Sequence, residues 1–538
     1  MSDKEEPSET VSDFDEKMYL EIMREDTPLK RYVSRGDTPD DVDIPGPHQD
    51  ADRAIFRAIR FTMSDGTPRF QPILGMAGMG KTHLFWVIKE QEDYFSKGKF
   101  LAVYVPSPPA PIRVPLHFHA CIVDEGGDAL FEQAVDMLIT KFGGLKGVTH
   151  EMYDYTYAME RLLTEYPGIS SDVVKVLLRY RLDPARRDLA RRWLLGDALN
   201  DLELSKLEVR SILEEDDVTL ATIRVLLEGS ERTVVLFIDE MEGPYNTHGE
   251  EGERHFLEII KRIYNECKNV VIISSAISDV WDRIYSIADA PAKSRMEPTV
   301  ELRHFTRNDV SEFVRLTMER YWRDQNIEPP PNLLYPLTDE DIDTAFKKSE
   351  GVPREAIRYI IPRIESILFE REEEEPEPQS DYVVKLTPTV VLGAVVKSLS
   401  LSAEKHGATV RLHMASGGTQ KQSAAIAILE KDGNEVNIGV DVPNVKDWDR
   451  SGGVAAYYSA TRLKDALDSK EVEYAIIAVP EGTAGAKYEA KKKDMADTIA
   501  VLELTDEKGK LLVESTNNNS LASEFESFFS FVLGHILS

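Results

Sequence analysis

Two kinds of apolar pattern alternate along this chain. Continuous runs rich in β-branched and aromatic residues end at Ile73-Leu74 and recur at 100–105 (FLAVYV), 233–238 (TVVLFI) and 269–273 (NVVII). A weaker run follows at 299–302. Apolar runs without polar alternation are the signature of strands buried on both faces. Between them the apolar positions recur at helical spacing, at 50–61 (DADRAIFRAIRF), 84–88, over a long stretch from about 127 to 230, and from 306 to 369. Within the long stretch, separate helices are predicted at 128–143, 155–166, 171–182, 185–199 and 218–229. Strands alternating with helices predict a parallel α/β sheet that takes ligands at the carboxyl ends of its strands.

The pattern breaks in two places. Residues 1–43 are acidic, carry Ser and Pro, and have little periodicity, so they are expected to be mostly disordered with one helix around 14–23. Residues 371–381 (REEEEPEPQSD) are a charged, proline-containing linker. Beyond it come a helix at 387–406, strand-like runs at 409–414, 423–429 and 436–442, a helix at 455–466, a strong strand at 474–479, and more α/β pattern to the end. The expected division is therefore a tail (1–43), an α/β core (44–304) with a helical insertion at about 127–230, a helical lid (305–370), the linker, and a second α/β domain (382–538).

With 538 residues, 42% hydrophobic and 30% charged, the chain can bury more than one large core. No run approaches the ~18 apolar residues of a membrane span, so no membrane contact is expected. The acidic N-terminus lacks an apolar signal core, and Cys121 and Cys267 are too few for a disulfide framework. Both point to the cytoplasm.

The net charge is −31. Broad coating of nucleic acid needs a basic surface, because affinity comes from counterion release, so any contact with DNA would use a local basic patch. The densest basic cluster is Arg179, Arg181, Arg186, Arg187, Arg191 and Arg192, which reads first as a helix face paired with neighbouring acids. A second feature, His117-Phe118-His119-Ala120-Cys121, would aim three metal-binding side chains to one face if extended. No fourth ligand lies at a recognisable spacing, and ordinary packing is the favoured reading.

The chemistry concentrates after the first strand. Residues 75–82 spell Gly-Met-Ala-Gly-Met-Gly-Lys-Thr, with His83 and an apolar helix following. Strand, glycine-rich turn and helix in that order are what a phosphate-binding loop requires. Gly75, Gly78 and Gly80 free the backbone, and the amides of Met76, Ala77, Met79 and His83 complete the cradle with the helix N-terminus. Lys81 would reach the β- and γ-phosphates, and the Thr82 hydroxyl would bind Mg²⁺. The strand at 233–238 ends in Asp239-Glu240. Asp239 is expected in the Mg²⁺ shell, and Glu240 as the base that polarises the attacking water. Ser274 or Ser275, ending the neighbouring strand, can act as a polar sensor; Ser274 is the site candidate. Arg354, in Gly351-Val352-Pro353-Arg354, and Arg295, in KSRMEP, are candidates for reporting or completing the phosphate site.

This set resembles the AAA+ ATPases, most closely the clade of archaeal Orc1/Cdc6 initiators and STAND-type NTPases, over about 44–369. The resemblance implies a P-loop NTPase fold with a five-stranded sheet and helical lid, ATP as ligand, homo-oligomeric assembly, and Arg295 acting in trans. The helical stretch before Asp239 is longer than a compact AAA+ core has. Its Arg-Trp193-Leu-Leu-Gly196 motif is similar to the ATP-binding proteins of bacteriophage-exclusion systems. No winged-helix DNA-binding domain is evident after the lid. The C-terminal domain resembles the restriction-endonuclease-like fold in its order of elements. The place of the nuclease E-x-K is taken by Asp441-Val442-Pro443, so an inactive, binding version is expected. Lys491, Lys492 and Lys493 read as a solvated helix end. The function expected is an Mg²⁺-dependent ATP hydrolase acting on a DNA-associated partner. The alternatives are a STAND-like signalling or antiviral switch that oligomerises with ATP and, last, a nuclease using the C-terminal domain.

Overall fold

A computed structural model describes residues 13–29, 42–92, 98–108, 112–141, 170–197, 199–369, 386–413, 425–445 and 447–537. The linker at 371–381 and the helix expected at 155–166 lie outside these residues, as does most of the expected tail.

The strands β1 (Arg69–Leu74), β2 (Phe100–Pro106), β3 (Thr233–Asp239), β4 (Val270–Ala276) and β5 (Val300–Glu301) form one sheet in the order β2-β3-β4-β1-β5. Every pairing in it is parallel. This is the P-loop NTPase sheet, with the glycine loop at the carboxyl end of β1. Side chains alternate across the strands, and both faces are covered. Val235, Phe237, Val271 and Ile273 pack with Ile55, Ile59, Leu84 and Phe85 on one side. Val234, Leu236, Ile238 and Ile272 join the helices of the insertion on the other. Continuous apolar runs were needed because neither face meets water.

The helix expected at 50–61 begins earlier, at Pro45–Asp65, with proline in its first turn and Gly66 closing it at φ 67°. The His117-Cys121 segment is helical, within Val114–Gly126. Pro115 sits in its first turn, where a proline needs no amide partner. At 100° per residue His117 and His119 point to nearly opposite sides, so no three-ligand face forms. After β5, helices Arg307–Asp324, Asp339–Ser349 and Pro353–Phe369 share a core of Val310, Val314, Trp322, Ile342, Ile360 and Ile364. The helix Asp13–Glu25 adds Tyr19 and Met23 to it, with the Tyr19 ring 5.1 Å from Trp322.

A second sheet is mixed, in the order β10-β9-β8-β7-β6, from β6 (Thr409–His413), β7 (Ala425–Lys431), β8 (Asn434–Asp441), β9 (Tyr474–Pro480) and β10 (Ile499–Leu504). The first three strands are antiparallel and the last pairs parallel. Helix Pro388–Lys405 precedes the sheet and Gly453–Asp468 crosses between β8 and β9.

Candidate functional site

β1 ends at Leu74, and Gly75 continues its ladder by donating from its amide to Ala276 O at 3.2 Å. The loop then turns through Gly78 and Gly80, both at positive φ (80° and 88°), before helix His83–Glu90 begins. The two glycines differ in what surrounds them. A Cβ on Gly80 would have only His83 Cβ near it, at 3.8 Å. One on Gly78 would meet Arg354 Cβ at 2.9 Å and Val352 Cγ1 at 3.2 Å. Lys81 Nζ lies across the loop, donating to Gly75 O (2.9 Å) and Met76 O (3.1 Å). Burial lowers the pKa of Lys81, and the nearby carboxylates of Glu242, Asp239 and Glu240 oppose that shift.

Asp239 is the node of the site. β4 lies between β1 and β3 in the sheet, so the loop after β1, the end of β4 and the end of β3 converge from three strands. Asp239 Oδ2 accepts from Thr82 Oγ1 at 2.6 Å and from the Tyr104 hydroxyl at 3.0 Å. Its Oδ1 accepts from Ser275 Oγ and from the Glu240 amide at 3.1 Å. The donor set around Thr82 and Asp239 is all hard oxygen, which suits Mg²⁺.

Glu240 stands at φ 56°, so the chain leaves β3 in the left-handed region and turns this residue off the strand direction. Two residues on, Glu242 is buried, and burial raises its pKa although Lys81 lies close enough to oppose the shift. Its Oε2 has no hydrogen-bond partner among the described residues. Sequence reasoning passed over both Glu242 and Tyr104. The carboxylate in Met-Glu-Gly-Pro just before a helix start was one available signal, and the tyrosine hydroxyl, the one polar side-chain group in β2, was another.

The remaining candidates divide. Arg354 is brought to the loop, its amide donating to Gly78 O at 3.2 Å. Gly351, at φ 79°, accepts through its carbonyl from the Phe305 amide at 2.7 Å and so sets the turn that delivers Arg354. Of the two serines, Ser275 reaches Asp239. Ser274, the site candidate, has a buried hydroxyl with no partner among the described residues. The register explains this: the two alternate across β4, and only Ser275 faces the carboxylate. Arg295 is not brought to this chain's own loop. It precedes Met296, which bridges Phe70 at the opposite end of β1. Its guanidinium donates to Pro291 O and stands 5.8 Å over the Tyr264 ring.

His83 turns away from the loop toward the start of the chain. Its Nε2 is 2.9 Å from Asp43 Oδ1, which is also 2.7 Å from His48 Nε2. His48 Nδ1 is 2.8 Å from Asp52, one helical turn away. Burial disfavours a charge on His48, but the hydrogen bonds to Asp43 and Asp52 prevail and raise its pKa to about 9.

In the second sheet Asp441 is fully buried. Arg462 grips it at 2.7 and 3.0 Å, and Arg113, from the first sheet's side, approaches at 3.5 Å. Burial alone would raise the Asp441 pKa; the two guanidiniums lower it. Glu214 lies 3.3 Å from Arg462 and 3.8 Å from Arg113. The carboxylate is thus closed by arginines, and Pro443 stands two residues on, where the resemblance to a nuclease would place a lysine. The arginine cluster is equally committed. Arg179 pairs with Glu208, Arg181 with Asp136, Arg186 with Asp183, Arg187 with Glu132, Arg191 with Asp128 and Arg192 with Glu203. Lys492 pairs with Glu489 on its own helix.

No protein-family model and no curated protein matches this chain. Among solved structures it is similar to the ORC1 protein of Aeropyrum pernix, solved in complex with DNA, at 14% identity over 68% of this chain and 69% of that one, with a TM-score of 0.32. It is also similar to the ADP form of the ORC2 protein of Aeropyrum pernix, at 12% identity over 92% and 96%, with a TM-score of 0.33. A Walker-type ATPase of Pyrococcus abyssi follows at 13% identity over 63% and 71%, with a TM-score of 0.30. Likenesses this faint carry no weight beside the strand order and the site's own geometry.

Proposed function

We propose that this protein is an Mg²⁺-dependent ATPase of AAA+ type, which couples ATP binding and hydrolysis to a DNA-associated macromolecular partner. The observation that carries this reading is the 2.6 Å contact between Thr82 Oγ1 and Asp239 Oδ2. It joins the end of a glycine loop to the tip of a buried strand 157 residues away. Thr82 and Asp239 would hold the metal. Mg²⁺, when bound, supplies positive charge against the β- and γ-phosphates. The loop amides and Lys81 hold the polyphosphate. Glu240 orients and deprotonates the attacking water, and Ser275 fixes the Asp239 carboxylate in one orientation. Arg354 carries phosphate state to the helices at 307–369, which form a lid on the core at 44–304. Arg295, outside its own subunit's site, serves that of a neighbouring subunit in a homo-oligomer.

The reading is tested by measuring phosphate release with and without duplex DNA, alongside molecular mass with and without ATP. Hydrolysis that DNA stimulates, and that Lys81→Ala abolishes, is expected. ATP-driven assembly with no effect of DNA would replace the DNA-associated role with that of a signalling switch.

A further inference from the structure

Beside the phosphate loop, two imidazoles and a carboxylate converge from separate parts of the chain. Asp43 precedes the helix Pro45–Asp65, His48 lies in that helix's first turns, and His83 opens helix His83–Glu90 directly after Thr82. One ligand atom from each of Asp43, His48 and His83 lies within 4.8 Å of the other two, and both Nε2 atoms contact Asp43 Oδ1. The His48 ring is further fixed from behind by Asp52 on Nδ1, at 2.8 Å. A carboxylate on the far nitrogen of an imidazole is the usual outer support of a metal-binding histidine: it selects the tautomer and raises the basicity of the other nitrogen.

We propose that Asp43, His48 and His83 bind a transition-metal ion, with Zn²⁺ the best fit, at a site separate from the Mg²⁺ position between Thr82 and Asp239. Donor type and reach both favour such an ion. Two imidazoles and one carboxylate match Zn²⁺ and its neighbours and are foreign to Mg²⁺, whose candidate ligands here are all oxygen. Zinc–ligand distances of about 2.0–2.2 Å place tetrahedral donors roughly 3.3–3.6 Å apart. Asp43 now lies 2.9 and 2.7 Å from the two nitrogens. Opening these two contacts by about half an ångström, with the two imidazole nitrogens, within 4.8 Å of each other, drawn to the same spacing by side-chain rotation, would admit the ion. Binding displaces the hydrogens that the two imidazoles donate to Asp43 Oδ1. The side of the cluster at Asp43, whose side chain is 28% exposed, leaves a fourth position for water. Arg303 steadies the same corner: its guanidinium donates to Gly46 O and its amide to Pro47 O at 3.3 Å. The ion would thus tie residues 43–48 to the first residue of the phosphate-loop helix.

The test uses the full-length protein without a histidine tag, stripped with chelator and titrated with Zn²⁺ alone and with Co²⁺ alone, in the absence of nucleotide. One equivalent of zinc per chain and the visible absorption of tetrahedral cobalt are expected. His83→Gln should weaken zinc binding by at least ~100-fold and Asp52→Asn by ~10–100-fold, while Thr82→Ala leaves it unchanged. X-ray absorption at the zinc edge of the wild-type protein needs no variant to fold, and should report imidazole and oxygen donors. Sulfur donors, no stoichiometric zinc, or undiminished affinity in His83→Gln would each overturn the proposal.

Discussion

Replacing Gly78 and Gly80 by alanine separates the cradle from the lid. Both glycines hold left-handed backbone, at φ 80° and 88°. An L-residue there costs ~1–2 kcal/mol. If nucleotide binding requires the native loop, that cost raises the ATP dissociation constant by ~5–30-fold in either variant. Gly80→Ala should show this and little else, because its new methyl has room. Gly78→Ala meets Arg354 Cβ at 2.9 Å. Ordinary carbon contacts begin near ~3.5 Å. The start of helix Pro353–Phe369 must therefore shift by about half an ångström or more, and the bond from the Arg354 amide to Gly78 O is lost. A displacement of ~1 Å at a reacting centre costs up to ~10²-fold in rate. Turnover in Gly78→Ala should accordingly fall ~10–100-fold below that in Gly80→Ala, at saturating ATP. Phosphate-release kinetics beside equilibrium ATP binding, with melting curves as a control, read both quantities. Equal turnover in the two variants would refute a functional contact between loop and lid.

Glu240→Gln should leave ATP affinity unchanged and lower turnover ~10²-fold or more, as loss of a general base does; single-turnover hydrolysis checks this. Ser275→Ala should slow hydrolysis by freeing Asp239, whereas Ser274→Ala should leave turnover near wild type, measured in the same assay. Asp441→Ala leaves the buried Arg113 and Arg462 guanidiniums only Glu214 as counter-charge and should cost up to ~3–5 kcal/mol of stability. Its melting temperature should fall by on the order of 10 °C, and adding Arg462→Met should recover part of the loss.

The strands of the first sheet, β6 to β9 of the second, the phosphate loop and the Asp239-Glu240 tip were legible because each is a local pattern: an apolar run, a glycine spacing, an acid at a strand end; β10, a half-exposed edge strand, was not. What the pattern could not carry was strand order. β3 lies between β2 and β4, which lets Tyr104 reach Asp239 from β2, while alternation along β4 turns Ser275 rather than Ser274 to the same carboxylate. The arginine cluster was readable as a paired face, yet its partners Asp128 and Glu132 lie on a helix more than fifty residues away. The His117-Cys121 segment was ambiguous between strand and helix until Pro115 took a place in a helical first turn. The meeting of Asp43, His48 and His83 depends on how the helix Pro45–Asp65 lies beside the loop, which no spacing along the chain encodes.

Everything functional here descends from one claim, that a triphosphate is held by the 75–82 loop with its metal between Thr82 and Asp239. Titrating ATP with Mg²⁺ into the protein in a calorimeter tests it most directly. The account predicts saturable binding of one nucleotide per chain, abolished in Lys81→Ala and weakened when Mg²⁺ is withheld. No heat in the wild-type protein, or the same isotherm in Lys81→Ala, would contradict it.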